Sequence, residues 1–254
     1  MSKRFLGKNA IVTGGSRGIG RAIALGLAKE GAKVCIGYNN GEEAARETVD
    51  LLKEHSGFGF MHKVNQEDIS QVEGFVSKCL VDLGNIHILV NNAGICPFKD
   101  FFEITPELLQ RVWNVNVASH FFITKLVARH MIDNKIDGRI LMISSISAHV
   151  GGELQAHYTT TKSALNGLMH SLAIILGKYG ILVNSLEPGT IVTDINRENL
   201  ANEEKKKSRE KRTVLGRLGT PDDMIGPALF LVSDENTYTT GIGLLSDGGM
   251  LINF

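Results

Sequence analysis

The stretch Lys8-Asn9-Ala10-Ile11-Val12-Thr13-Gly14-Gly15-Ser16-Arg17-Gly18-Ile19-Gly20 decides the fold of this chain. A short, β-branched run at residues 8–13 leads into a glycine-rich turn, and an apolar-periodic stretch then continues to residue 30. This pattern predicts a strand, a tight turn and a helix. Glycine lets such a turn adopt unusual backbone angles and approach a diphosphate, whose charge the helix N-terminus can meet. Because the spacing is Gly-x-x-x-Gly-x-Gly, the turn alone also fits a turn without a ligand.

The rest of the chain continues the alternation of strands and helices. We predict further strands at residues 33–37, 59–64, 86–90, 139–143, 181–186 and 244–245, and helices at residues 42–55, 69–83, 105–131, 156–179 and 221–231. Linkers rich in proline or serine are absent from the sequence. The sequence therefore predicts an α/β fold over residues 1–254, a single Rossmann-type doubly wound domain with a seven-stranded parallel sheet flanked by helices.

The composition excludes several classes of function. The 27 basic and 27 acidic residues balance, which argues against nucleic acid as a partner. A run of 18 apolar residues that could span a membrane does not occur, and we expect a soluble protein. Cys35, Cys79 and Cys96 are odd in number and far apart, and the histidines form no ligand-spaced cluster. We therefore expect neither disulfides nor a metal site, and a cytoplasmic location.

The end of the second strand bears on the choice of dinucleotide. An NAD-selective site usually has an acidic side chain here to hold the ribose 2′-hydroxyl, whereas this chain has Tyr38-Asn39-Asn40. No carboxylate would repel a 2′-phosphate at this point. Arg17, inside the glycine turn, could pair with that phosphate through its planar guanidinium, although it could also be a solvated turn residue. The sequence favours NADP, with NAD as the alternative.

Two later strands end in amide side chains. Asn65 follows the third strand and could face an adenine amino group or cap its own loop. Asn92-Ala93-Gly94 follows the fourth strand, at the carboxyl edge where open α/β sheets bind ligands, and its small residues leave room for a flat ring.

A tyrosine and a lysine four residues apart, Tyr158 and Lys162, lie on one face of a predicted helix. A nearby ammonium favours the phenolate, and so predicts a lowered tyrosine pKa that suits proton transfer. Such a pair also occurs by chance on surface helices. Asn116 lies among valines in another predicted helix, and a buried amide there needs a hydrogen-bond partner.

With these residues together, the chain resembles the classical short-chain dehydrogenase/reductase family over essentially its full length. The motifs that carry the resemblance are, in chain order, Thr13-Gly14-x-x-x-Gly18-x-Gly20, Asn91-Asn92-Ala93-Gly94, Val115-Asn116-Val117, Ser145, Tyr158-x-x-x-Lys162, Pro188-Gly189-Thr190 and Asp247-Gly248-Gly249. Within the family the chain is most similar to members that oxidise aldoses such as L-rhamnose. That similarity lies in residues 92–98, 144–148, 150–152, 157–162 and 215–219.

The resemblance implies a role for each matched residue. Tyr158 would be the general base, Ser145 would orient the substrate oxygen, Lys162 would lower the tyrosine pKa and bind the nicotinamide ribose, and Asn116 would hold a water that relays the proton. The implied cofactor-binding residues are Gly14, Ser16, Arg17, Gly18, Ile19, Gly20, Tyr38, Asn39, Asn65, Asn92, Ala93, Gly94, Tyr158, Lys162, Pro188, Gly189, Thr190, Ile191 and Thr193. The implied substrate-binding residues are Ser145, Ser147, Gln155, Tyr158, Thr190 and Asn196, several of which could instead cap loops.

The resemblance also implies a reaction and an assembly. We expect hydride transfer from C1 of an aldose to the nicotinamide, giving a lactone, in a homotetramer. The alternatives are an NADPH-dependent reductase of ketones or 3-oxoacyl thioesters and, third, a cofactor-binding protein without activity. Residues 190–215 carry a highly charged stretch, which is either a solvated helix or a mobile lid over the substrate.

Overall fold

A computed structural model describes residues 3–253 of the chain. Within this range seven strands form one parallel sheet in the order β3-β2-β1-β4-β5-β6-β7. The strands are β1 (Asn9–Thr13), β2 (Lys33–Tyr38), β3 (Phe60–Lys63), β4 (Ile88–Asn91), β5 (Arg139–Ile143), β6 (Leu182–Pro188) and β7 (Gly243–Ser246). The predicted fold class is confirmed.

Helices cover both faces of the sheet. They are α1 (Gly18–Lys29), α2 (Glu42–Ser56), α3 (Gln71–Leu83), α4 (Pro106–Trp113), α5 (Ser119–Asp133), α6 (Ala156–Leu176), α7 (Arg197–Leu200), α8 (Glu203–Arg212) and α9 (Ile225–Val232). One core cluster joins α1, α2 and α9 to the sheet, and a second joins α3, α5 and α6 to the opposite face. Because both faces are covered, β1, β4 and β5 read as continuous apolar runs, as parallel strands do.

The strand order sets the position of a ligand site. The chain runs from β1 outward to β3, returns to β4 on the other side of β1, and then runs outward to β7. The carboxyl ends of β1 and β4 therefore form the switch point at which doubly wound sheets leave a crevice. The glycine turn and Asn92-Ala93-Gly94 both begin there.

The structure refines several of the sequence-based boundaries. The fourth strand begins at Ile88 rather than Ile86, and the sixth extends to Pro188. The helix predicted at residues 105–131 is divided into α4 and α5 by a π-helical turn, Asn114–Ala118. The charged stretch of residues 190–215 forms α7 and α8, and α8 buries none of its side chains.

No helix within residues 3–253 is both long and apolar enough to cross a membrane.

Candidate active site

A cleft of about 460 Å³ opens at the carboxyl ends of β1 and β4. We call it the cofactor cleft. Of the predicted residues, those that line it are Gly14, Ser16, Arg17, Gly18, Ile19, Tyr38, Asn39, Asn92, Ala93, Gly94, Ser145, Tyr158, Lys162, Pro188, Gly189, Ile191, Thr193 and Asn196. The fold thus gathers residues from six strand ends into one cavity.

The glycine turn forms a cradle at one end of this cleft. Gly14 and Gly18 have φ angles of +63° and +56°, a region that side chains disfavour. A Cβ on Gly14 would lie 2.9 Å from Ala93 Cα. No side chain of the described residues caps the first turn of α1, and that turn carries no acidic residue. Its backbone N–H groups therefore suit a diphosphate, so the cradle fits a dinucleotide.

Asn92 fastens the cradle to the next strand. Its amide Nδ2 donates to the carbonyl oxygens of Thr13 and Gly14, at 2.9 and 3.1 Å. Thr13 Oγ1 in turn accepts from the backbone N–H groups of Asn92 and Ala93, both at 3.0 Å. The side chain of Asn92 therefore sets the shape of the turn. Gly94, two residues on, leaves the space for a ring: a Cβ there would lie 3.7 Å from Lys162 Nζ.

The side chain of Arg17 extends from the glycine turn towards the end of β2. A Cβ on Gly41 would be 3.4 Å from Arg17 Nη2, so the guanidinium reaches the segment that follows Tyr38-Asn39-Asn40. Its Nη1 pairs with Asp194 Oδ2 at 3.2 Å, across the cleft. Both side chains are well exposed, so the pair is worth at most about 1 kcal/mol. A phosphate at this point could therefore take over the guanidinium from Asp194.

Tyr158 and Ser145 meet on the wall of the cofactor cleft. Tyr158 comes from the first turn of α6, and Ser145 follows β5. Burial raises the pKa of Tyr158 well above its ordinary value, Cys96 acts in the same direction, and a side-chain hydrogen bond with Ser145 lowers it. The lowered tyrosine pKa expected from Lys162 is therefore wrong for this structure, because desolvation of the phenolate dominates.

Lys162 is buried one turn after Tyr158. Its Nζ lies 5.5 Å from the centre of the Tyr158 ring and donates to the carbonyl oxygen of Ile143 at 2.8 Å. Burial lowers the pKa of Lys162 to about 8, and Cys96 acts in the opposite direction. The ammonium thus remains largely charged near neutral pH, but at a cost in desolvation.

Asn116 is buried in the π-helical turn. Its Oδ1 accepts from the backbone N–H of Ile95 at 2.9 Å, and its Nδ2 donates to Ile95 O and to Thr161 Oγ1, both at 3.0 Å. Thr161 Oγ1 donates to the carbonyl oxygen of Tyr158 at 2.6 Å. Asn116 therefore ties α6, and with it the tyrosine, to the segment after β4. Since both amide N–H groups are used, only an oxygen of Asn116 could hold a water.

Two predicted ligand residues use their side chains within the protein. Asn65 Oδ1 accepts from Asn39 Nδ2 and from the backbone N–H of Glu67, so it caps its loop. Asn196 spans its own turn, accepting from the Thr193 N–H and donating to the Ile191 carbonyl. Gly20, in the first turn of α1, lies behind the cleft wall, where a Cβ would meet Gly14 O. Asn65, Gly20, Thr190 and Asn116 are not among the residues that line the cofactor cleft.

A second pocket, of about 410 Å³, adjoins α8 and the segment before α6. It is lined by Phe98, Gly152, Glu153, Leu154, Gln155, Asn199, Glu204, Lys205, Ser208 and Arg209. Gln155 points Nε2 at Cys96 Sγ, 3.1 Å away. Arg209 donates to Thr190 Oγ1 at 3.3 Å and to Asn199 Oδ1 at 3.1 Å. Of the predicted substrate residues, Ser147 and Thr190 line neither cavity.

Sequence reasoning missed several residues of these cavities. Gln66, Glu67 and Arg111 line the cofactor cleft, and Arg111 pairs with Glu67 at 3.1 Å. Arg209 was seen only as one charge in a charged stretch. The lining of the cleft by Val64, Gln66 and Glu67 follows from the position of β3 in the sheet, which the sequence pattern alone does not give.

Comparisons with known proteins agree with this geometry. A family model described as "Enoyl-(Acyl carrier protein) reductase" matches residues 14–251. The chain is 63% identical over 249 residues to an L-rhamnose 1-dehydrogenase (NADP(+)) of Thermoplasma acidophilum, covering 98% of both chains. It is 44% identical to an L-rhamnose 1-dehydrogenase (NAD(P)(+)) of Sphingomonas sp., covering 99% of both. The structure matches a gluconate 5-dehydrogenase of Burkholderia cenocepacia, in complex with NADP and tartrate, with a TM-score of 0.92 and 32% identity over 99% of both chains.

The lowered pKa of Lys162 makes a testable prediction about stability. Between about pH 8 and pH 10.5, Lys162 binds more protons in the unfolded chain than in the folded one. The contribution of Lys162 to the free energy of unfolding therefore rises with pH across that window. Lys162→Met abolishes this gain. We expect the stability of the variant relative to wild type to fall by about 2 kcal/mol from about pH 7 to about pH 10, measured by urea unfolding.

Lys125→Met, at an exposed lysine of α5, is the matched control for this measurement. A difference between Lys162→Met and wild type that stays constant across the same pH range would contradict the buried ammonium.

Proposed function

The chain belongs to the short-chain dehydrogenase/reductase family, and we propose that it is an NADP-preferring dehydrogenase that oxidises C1 of an aldose such as L-rhamnose to the lactone. The observation that carries the proposal is the meeting of Tyr158, Ser145 and Lys162 on the wall of a cleft that begins at a glycine cradle. A hydride acceptor lying along the cleft would bring its ring beside Gly94, next to the tyrosine and the lysine.

The proposed reaction divides between cofactor and protein. The nicotinamide, when bound, accepts the hydride from C1 of the sugar. Tyr158 takes the proton of the C1 hydroxyl, and the C1–O bond becomes the lactone carbonyl. Ser145 donates to or accepts from the same oxygen and so orients it.

The tyrosine must lose its own proton before it can act as a base. Burial opposes this in the structure. The buried ammonium of Lys162 and the positive charge of an oxidised nicotinamide both favour the phenolate. A water held by an oxygen of Asn116 would carry the proton onward, since this residue already joins the tyrosine helix to the segment after β4.

Two observations support NADP as the preferred cofactor and NAD as a possible one. Arg17 reaches the end of β2, where Tyr38-Asn39-Asn40 brings no carboxylate against a 2′-phosphate. Its present partner, Asp194, is exposed and therefore easily replaced. The relative of Thermoplasma acidophilum is named for NADP(+), and that of Sphingomonas sp. for NAD(P)(+).

The second pocket supports a polar, multi-hydroxyl substrate. Gln155, Asn199, Ser208 and Arg209 offer donors and acceptors of the kind that hold sugar hydroxyls. We further propose that residues 190–215 act as a lid. They border the cofactor cleft through residues 191–196 and the second pocket through α8, so one movement of the segment would close both.

The test of this function is an initial-rate screen of L-rhamnose, L-lyxose, L-mannose and D-aldoses, with NAD and NADP separately. We expect the fastest reduction of NADP with one L-aldose and the lactone as product. A parallel panel of ketones and a 3-oxoacyl thioester, each with NADPH, tests the reductase alternative. Faster turnover of that panel would replace the aldose assignment, and cofactor binding without any turnover would favour the binding-protein alternative.

Tyr158→Phe tests the assignment of the base. Removing the phenol oxygen should lower kcat for the best aldose by at least about 100-fold while the Kd for NADP stays within a small factor of wild type. The measurement pairs steady-state kinetics with cofactor titration by fluorescence. Tyr238→Phe, at a tyrosine exposed to 97%, is the control. Turnover of Tyr158→Phe near that of the control would remove Tyr158 from this role.

Arg17→Ala tests the cofactor preference. Loss of a charge-assisted contact to the 2′-phosphate should lower kcat/KM for NADP by roughly 10–100-fold and leave that for NAD nearly unchanged. Asp194→Asn is the matched control, because it breaks the same ion pair but keeps the guanidinium and should not weaken NADP. Equal losses with both cofactors in Arg17→Ala would contradict the proposed contact.

We also propose a homotetramer in the cytoplasm. Apolar side chains with 40–82% exposure occur on the helices around Asn116 and on α6, and a partner subunit would cover them: Trp113, Phe121, Phe122, Ile174 and Ile175. Three free, buried cysteines suit a reducing compartment. Sedimentation should give a tetramer, and Phe121→Glu should dissociate it; a wild-type protein that sediments as a stable monomer would contradict this assembly.

A further inference from the structure

A second group of chemically reactive side chains lies away from the cofactor cleft, on the outer part of the sheet. Cys35 of β2, His62 of β3 and Asp82 of α3 bring one ligand atom each to within 4.8 Å of one another. We call these three residues the Cys35 cluster. They are far apart in sequence and come from three elements. The arrangement is therefore a product of the fold, and the cysteine spacing gave no sign of it.

The register of the strands explains the convergence. Cys35 pairs with Phe60 and Gly37 pairs with His62, so Cys35 and His62 are diagonal neighbours on one face of the sheet. Helix α3 packs over that face through Phe75, Val76 and Cys79. Asp82 follows Cys79 by three residues and thus lies on the same side of the helix.

We propose that the Cys35 cluster is a zinc site, in which Cys35 Sγ, His62 Nε2 and one oxygen of Asp82 bind the ion. Zinc prefers this combination of a thiolate, an imidazole and a carboxylate. The fourth ligand is a water from the solvent side.

The distances suit an ion of this kind. Ligand atoms about 2.0–2.3 Å from a tetrahedral zinc are roughly 3.3–3.8 Å apart. His62 Nε2 and Asp82 Oδ2 are 2.7 Å apart, and all three ligand atoms lie within 4.8 Å. Small side-chain rotations would therefore give the tetrahedral spacing without movement of the backbone.

The burial and the charge of the three side chains also suit a zinc ion. Cys35 is fully buried, whereas the side chains of His62 and Asp82 keep 23% and 26% of their surface exposed. An ion would thus enter from the solvent side and meet the thiol at the floor. The thiolate and the carboxylate together carry two negative charges, which match a divalent cation.

The thiol must lose its proton to bind the metal. Metal binding therefore displaces this proton.

A disulfide between Cys35 and Cys79 is the competing use of these residues. It would explain the 3.4 Å approach of the two sulfur atoms, but it leaves the convergence of His62 and Asp82 on the same thiol unexplained. The zinc site accounts for all of these contacts. A zinc ion would join β2, β3 and α3 near the end of β2 that leads to Tyr38 and Asn39. This site does not depend on the reaction proposed above.

The experiment uses the full-length protein without a histidine tag, reduced and freed of metal by chelation. Titration with Co²⁺ should give one ion per chain and the charge-transfer absorption of a thiolate bound to cobalt, and Zn²⁺ should displace it. Excess Zn²⁺ should raise the melting temperature of the apoprotein. His62→Gln and Asp82→Asn should weaken Co²⁺ binding by roughly 10–100-fold or more, and Cys35→Ser should remove the charge-transfer band.

His170→Gln and Asp50→Asn, at exposed positions on α6 and α2, are the matched controls and should bind Co²⁺ as wild type does. The His62 side chain is partly exposed, so His62→Gln should still fold and keeps the proposal testable if Cys35→Ser does not fold. Failure of reduced wild-type protein to bind Co²⁺ stoichiometrically would overturn the site. So would a thiolate band that persists in Cys35→Ser. A Cys35–Cys79 disulfide, found by thiol counting and mass in a protein that binds no cobalt even after reduction, would replace the zinc site.

Discussion

The site depends on the junction between the ends of β1 and β4. Two parallel strands that end at one edge leave unpaired backbone groups there, and Asn92 and Thr13 satisfy them with four hydrogen bonds of 2.9–3.1 Å. These bonds hold the glycine turn open, with Gly14 and Gly18 at positive φ angles. The turn is therefore held by one side chain from its own strand, Thr13, and one from the segment after the neighbouring strand, Asn92. The same junction fixes the position of Gly94, and so the space beside Lys162.

Burial acts in opposite directions on the two titratable members of the proposed catalytic pair. It raises the pKa of Tyr158 and lowers that of Lys162, so each is pushed towards its neutral form. A phenol that keeps its proton cannot accept one from a substrate. The protein resists this outcome through the Ile143 carbonyl, which accepts from the ammonium, and through Ser145, which bonds the phenol. The proposed pair therefore needs further positive charge from its surroundings, which an oxidised nicotinamide bound in the cofactor cleft would supply.

The apolar pattern of the sequence predicted where the strands lie along the chain and that they are parallel, because parallel strands buried on both faces leave continuous apolar runs. It could not predict the π-helical turn, since Asn114–Ala118 continues the helical pattern and differs only in its hydrogen bonding. The turn directs Asn116 towards Ile95 and Thr161, contacts that belong to tertiary structure. The approach of Cys35 to Cys79 was missed for the same reason, because it follows from packing between distant elements.

The site residues divide in the same way. Most residues matched by motif line the cofactor cleft, although Gly20, Thr190 and Asn116 lie outside it. Two amides chosen only for their polarity use their side chains in loop turns: Asn65, which lies outside the cleft, and Asn196, which lines it. An amide near a strand end is as useful to the backbone as to a ligand, so sequence alone cannot assign it. The polar groups that border the second pocket come from α7, α8 and the segment before α6, and α8 buries no side chain. In the proposed function, substrate choice would therefore rest on the least packed part of the fold, where substitutions cost little stability, while the chemistry would rest on the most packed part.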